Sequence, residues 1–142
     1  DSYINQNGNN NTASTTLTDW WVGSGAARIN QTGDGNTATQ RIDYEGVAER
    51  DKEFYAYISQ NNEDAFESNT ATQSQYGAAN WGSIIQNGGN NEATQIQNGS
   101  YNWSSINQNG NGNTATVIQN TNDKASIDQD GDGNTATINQ SN

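Results

Sequence analysis

Apolar residues in this chain stand singly between polar ones, in short alternating stretches that break at Gly, Asn or Asp. In the stretch from Asn113 to Gln119, the residues Asn113, Ala115, Val117 and Gln119 fall two apart, which is the period of a β-strand, so they share one face. The stretch recurs. From Gln75 onward Gln stands at positions 75, 86, 97, 108, 119, 129 and 140, eleven residues apart except for one step of ten. The unit reads Gln-x-Gly-x-x-Asn-x-Ala-x-x-x-Gln, clearest from Gln108 to Gln119 and from Gln129 to Gln140, with earlier copies opening at Gln6 and Gln31. Each unit is one seven-residue strand and one four-residue turn, in which Gly supplies positive φ and Asn or Asp tolerates it. The turn glycines are Gly8, Gly33, Gly77, Gly88, Gly99, Gly110 and Gly131.

In this frame twelve strands end near Gln6, Leu17, Gln31, Ile42, Gln60, Gln75, Gln86, Gln97, Gln108, Gln119, Gln129 and Gln140. Three connections are swollen, at 18–24, 43–53 and 61–68. A second period overlies the first. Two residues before the final Gln, odd strands carry Ile4, Ile29, Ile58, Ile84, Ile106 and Ile127, while even strands carry Thr15, Gln40, Gln73, Gln95, Val117 and Ile138. Even strands keep Ala at the preceding inward position, whereas odd strands vary. The true repeat is therefore a strand-turn-strand arch of about 22 residues, and arches of this kind stack with like positions superposed.

Stacking makes sense of the composition. Only 29% of the 142 residues are apolar, the net charge is −11, and Cys, Pro, Met and His are absent. A layered globular core needs more than this to offset chain entropy, and composition alone points towards disorder. A β-solenoid buries a core one side chain thick, and about six rungs would stand roughly 29 Å tall. The inward amides are costly to bury singly, but a like amide about 4.7–4.8 Å above and below can accept and donate in a ladder. The expected ladder residues are Gln6, Gln31, Gln60, Gln75, Gln86, Gln97, Gln108, Gln119, Gln129 and Gln140, with Asn11, Asn36, Asn69, Asn80, Asn91, Asn102, Asn113 and Asn134. The frame predicts uncapped edges at both the first and the last strand, and edges of this kind invite another copy.

The Gln-x-Gly-x-x-Asn-x-Ala-x-x-x-Gln pattern, paired into units of about 22 residues, resembles the curlin repeat of bacterial curli, the extracellular functional amyloid of biofilms. The resemblance is strong over 69–140 and 1–42 and weaker over 43–68; Gly25, Phe54 and Asp123 stand at Asn positions. It implies an all-β solenoid of stacked β-arches, secreted unfolded, that polymerises with copies of itself into cross-β fibres for matrix and adhesion. It further implies a nucleating subunit and a secretion machinery as partners, and its conforming last repeat is more similar to the major fibre subunit.

Other signals are weaker. The stretch Asp128-x-Asp130-x-Asp132-Gly133 resembles the opening of a calcium loop, but Asn139 stands where the closing Glu belongs, so an acidic turn is the expectation and no metal or cofactor is assigned. Outward Thr pairs on even strands (Thr37 with Thr39, Thr70 with Thr72, Thr114 with Thr116, Thr135 with Thr137) fit an exposed sheet, or an ice-binding surface on a monomeric solenoid. Tyr55, Tyr57, Trp81 and Trp103 face outward on odd strands and either cover their sheet or take polysaccharide; Trp20 and Trp21 lie in the first long connection. Without His or Cys only turn carboxylates remain for acid–base work, so no catalytic set is expected. The excess of 16 acidic over 5 basic residues argues against nucleic acid as a partner, and no apolar run is long enough to span a bilayer. The start at Asp1 suggests a processed chain.

Overall fold

The computed structural model describes residues 1–18, 25–43, 53–62 and 67–141. Among them lie twelve strands and no helix: β1 (Ser2–Asn7), β2 (Thr12–Thr18), β3 (Gly25–Thr32), β4 (Thr37–Asp43), β5 (Phe54–Asn61), β6 (Thr70–Tyr76), β7 (Trp81–Asn87), β8 (Glu92–Gln97), β9 (Trp103–Asn109), β10 (Thr114–Gln119), β11 (Lys124–Asp130) and β12 (Thr135–Asn139). Odd strands form one six-stranded sheet in the order β1-β3-β5-β7-β9-β11, and even strands form the other, β2-β4-β6-β8-β10-β12. All described pairings are parallel. The two strands of one unit thus lie in different sheets and face each other across the core, which makes the fold a β-solenoid of stacked arches.

Register is set by the column of like residues, because a one-residue slip sends every inward side chain outward. Ile4, Ile29, Ile58, Ile84, Ile106 and Ile127 are successive partners in the odd sheet. Ala13, Ala38, Ala71, Ala93, Ala115 and Ala136 are successive partners in the even sheet. Parts of the three swollen connections, 19–24, 44–52 and 63–66, lie outside the described residues, and so do Trp20 and Trp21. On both sides of each the register is the same.

The core is the narrow seam expected. Ile29, Ile58, Ile84, Ile106 and Ile127 pack against Ala38, Ala71, Ala93 and Ala115, joined by Val117 and flanked by Ile138. Ile29, Ile58, Ile84 and Ile106 are fully buried. Ile4, in the edge strand, is 42% exposed because no rung covers it.

The turns follow one geometry. All seven expected glycines have positive φ, from 78° at Gly99 to 125° at Gly8. The left-handed backbone is one reason for Gly, and contact between rungs is the other: a Cβ on Gly88 would stand 2.2 Å from the carbonyl oxygen of Gly110 one rung on. A second positive φ falls two residues later, at Asn10, Gly35, Ala79, Asn90, Tyr101, Gly112 and Gly133. Ala79 and Tyr101 hold this conformation without the local hydrogen bonding that eases it for Asn. The shorter turn through Thr121 keeps one such position, Asn122.

Two substitutions separate these requirements. Gly88→Ala is expected to cost at least about 2 kcal/mol, from strained φ and from the clash with the next turn. Ala79→Gly is expected to gain about 0.5–1 kcal/mol, the left-handed penalty removed less the extra chain entropy of Gly. Denaturant unfolding of both variants checks the signs.

Candidate functional site

The buried amides are the chemistry of this fold, and in the odd sheet they form one unbroken column. Gln6 Nε2 donates to Gln31 Oε1 at 2.7 Å, and Gln31, Gln60, Gln86 and Gln108 each donate likewise to the next Gln, ending at Gln129, over 2.8–3.0 Å. The second Nε2 hydrogen crosses the core to the first carbonyl of an even strand: Gln31 to Thr12, Gln60 to Thr37, Gln86 to Thr70, Gln108 to Glu92 and Gln129 to Thr114. Each Gln therefore holds three groups at once: the rung before, the rung after and the facing sheet.

The even sheet repeats the device over its last four rungs. Gln75, Gln97 and Gln119 donate in turn to Gln97, Gln119 and Gln140 over 2.9–3.2 Å. Gln75, Gln97, Gln119 and Gln140 also donate to the carbonyls of Tyr55, Trp81, Trp103 and Lys124. Below Gln75 the column turns aliphatic, with Ile42 and then Leu17 as the registered partners. That step leaves Gln75 Oε1 buried without a hydrogen-bond partner. Gln6 and Gln140 accordingly end different ladders, in different sheets.

The Asn column departs from expectation. Its amides do not form an amide-to-amide ladder; they staple the turns through backbone. Asn11 Oδ1 accepts from the backbone N–H of Asn36, and the same contact joins Asn36 to Asn69, Asn69 to Asn91, Asn91 to Asn113 and Asn113 to Asn134 at 2.9–3.1 Å. Asn80 with Asn102, and Asn102 with Asp123, do the same on the odd side. Nδ2 meanwhile donates to the Gly carbonyl of the next turn, from Asn11 to Gly33, Asn69 to Gly88, Asn80 to Gly99, Asn91 to Gly110 and Asn113 to Gly131. The shorter Asn side chain reaches the main chain beside it, whereas Gln spans to its twin.

A third ladder lies in the middle of the core. Gln40 Nε2 donates to Gln73 Oε1 at 3.0 Å, and Gln73 Nε2 to Gln95 Oε1 at 2.5 Å, before Val117 ends the run. These positions are inward by period, but their neighbour across the core decides what they do. That neighbour is Gly82: a Cβ there would lie 2.4–2.7 Å from Gln95 Oε1, Gln73 Nε2 and Gln75 Nε2. Gly82 is the small residue that admits a second amide column. Departures at the Asn column are matched in the same way, since a Cβ on Gly25 would sit 2.3 Å from the ring of Phe54, which occupies that space. Asn62, in the third swollen connection, donates to the Asp34 carbonyl and accepts from Asn36 Nδ2, and stands over Gly33.

The outer faces are arranged differently. Tyr55, Trp81 and Trp103 stack with centroids 5.5 and 5.0 Å apart and planes within 12°, Tyr57 lies 6.3 Å from Tyr55, and Lys124 Nζ stands 4.9 Å from the Trp103 ring centre. The ring faces cover one another, so they are not open to stack on a sugar. On the even sheet Ser14, Thr39, Thr72, Thr94, Thr116 and Thr137 form an uninterrupted hydroxyl column, while Glu92 breaks the one beside it. Asp128, Asp130 and Asp132 each accept from the Asn one rung below, Asn107, Asn109 and Asn111. Among the described residues no three His, Cys, Asp or Glu side chains gather as a metal site.

No protein-family model matches the chain, and no curated protein or solved structure matches it.

Gln86→Leu tests the ladder. It leaves Gln60 without its acceptor and Gln108 without its donor in a buried column, and each orphaned group costs about 1–3 kcal/mol. A total loss of roughly 2–5 kcal/mol is expected in denaturant unfolding, against less than about 0.5 kcal/mol for the outward Thr72→Ser.

Proposed function

We propose that this chain is a structural subunit that adds end to end with copies of itself into an extracellular, curli-like amyloid fibre. The observation that carries the reading is the direction of the amide ladders. Every Gln–Gln bond donates from the lower-numbered rung to the higher. The β11/β12 edge thus offers amide N–H where the β1/β2 edge offers Oε1 of Gln6, so unlike edges of two copies complement each other. A head-to-tail contact of this kind does not close and extends as a filament. The repeat pattern supports the curli-like class and, through it, a secreted subunit of adhesive matrix.

The second reading, a monomeric solenoid that binds an extended surface such as ice, rests on the hydroxyl column from Ser14 to Thr137. The two separate on assembly state. Electron microscopy of an aged solution at tens of micromolar is expected to show fibres, with a reflection at about 4.7–4.8 Å on diffraction. A chain that stays monomeric and shapes ice crystals favours the second reading instead. Within the first, Gln6→Lys puts a charge into the odd-sheet ladder where copies meet, and seeded elongation should slow at least about ten-fold, since an unpaired charge costs several kcal/mol on burial. Thr37→Lys with Thr39→Lys, on the exposed even face, should leave the rate within about two-fold.

A further inference from the structure

One further step of the same register fixes which residues meet between copies, given the end-to-end reading above. The odd sheet aligns Ser2 with Ala27 and Ser104 with Ala125 at its two ends. Ser2 of a second copy therefore falls on Ala125, Ile4 on Ile127, and Gln6 on Gln129, so that the Ile column and the Gln column both continue. A slip of two residues would set Gln6 on Ile127 and lose both. In the even sheet the match is poorer, because Leu17, which is 43% exposed, falls on Gln140 and offers its amide no acceptor.

The outward column beside these carries charge. It runs Asp1, Ala26, Tyr55, Trp81, Trp103, Lys124. The Lys124 ammonium lies on the outermost face of the aromatic stack, with Trp103 on one side and the β11 edge on the other. Asp1 is placed at the opposite edge by two backbone bonds, from its nitrogen to Gly25 O and from Ala27 N to its carbonyl. Both bonds face the second rung, so the Asp1 backbone nitrogen is turned away from the free edge. Among the described residues the side-chain cations are Arg28, Arg41 and Lys124, which makes a cation at this edge uncommon in so acidic a chain.

We propose that copies recognise one another through the odd sheet, with Lys124 of one copy set against Asp1 of the next as the contact that selects partner and register. Directly opposed unlike charges on neighbouring strands favour pairing and like charges oppose it. Such pairs discriminate among partners more than they add affinity. Lys124 is held by Trp103 before the second copy arrives, which lowers the side-chain entropy that the new pair costs.

The experiment is seeded elongation with four proteins: wild type, Lys124→Glu, Asp1→Lys and the double swap. The wild-type charge is −11, so Lys124→Glu carries −13 (−11 − 2), Asp1→Lys carries −9 (−11 + 2) and the double variant returns to −11. Each single variant on its own seeds should elongate roughly 3- to 10-fold more slowly than wild type, and the double variant on its own seeds should recover. Wild-type monomer on double-variant seeds should be slow again, since both ends then present like charges, and the differences should shrink in high salt. If Asp1→Lys is faster than wild type, net charge alone governs growth and the pair is overturned. Equal rates for all four overturn the pair while leaving end-to-end assembly intact; absence of wild-type fibres overturns both.

Discussion

An amide inside a protein needs a donor and an acceptor, and in this fold its own equivalent on the neighbouring rung supplies both. Everything else follows from keeping those equivalents in line. Strands must be parallel, because antiparallel pairing would bring unlike positions together. The two strands of an arch must enter separate sheets, so that each column passes undisturbed from rung to rung. Turns must be thin, so that one does not prop open the next, and Gly8 and Gly110 meet the following turn with no room for a side chain. The aliphatic contribution is small by comparison, with one Ile row against one Ala row. Such a core excludes water along the amides more than it drives collapse, which accords with a composition poor in apolar residues.

Where the repeat lapses, the lapse is met by a second one in contact with it. Phe54 replaces an Asn, and its ring fills the place left by Gly25 on the rung below. The extra amides of Gln73 and Gln95 enter the core where an odd strand carries Gly82 instead of Ala or Ser. Asn62 takes a turn position in a lengthened connection over the bare backbone of Gly33. The column of Ile42 and Leu17 is the exception, since the change from aliphatic to amide leaves Gln75 Oε1 without a donor. Local defects of this kind are tolerated because each rung contacts only its neighbours.

Strand ends, the two alternating faces, the Ile column and the turn glycines were legible in the sequence, because a period of two and a spacing of eleven are direct statements about geometry. The partner of each amide was not. Periodicity assigns Asn36 and Gln31 alike to the inner face, but side-chain length decides that one bonds to backbone and the other to its twin. Gln40, Gln73 and Gln95 were visible as inward residues, and only the facing Gly82 shows that they form a ladder. Ala79 and Tyr101 carry no compositional mark of their left-handed backbone, which the turn geometry imposes. The outward aromatics likewise gave no sign that their faces cover one another, since that depends on ring orientation across rungs.

The common direction of the ladders also has an electrical meaning. Side-chain amides carry a dipole comparable to the ~3.5 D of a peptide unit, and here they lie head to tail along the solenoid axis instead of cancelling as strand dipoles largely do. Their positive ends point to the last rung. It is there that Asp128, Asp130 and Asp132 stand in one strand and its turn. Three carboxylates at the positive pole of aligned amides reproduce, in a β-structure, the electrostatic logic by which acidic residues gather at the amino end of an α-helix.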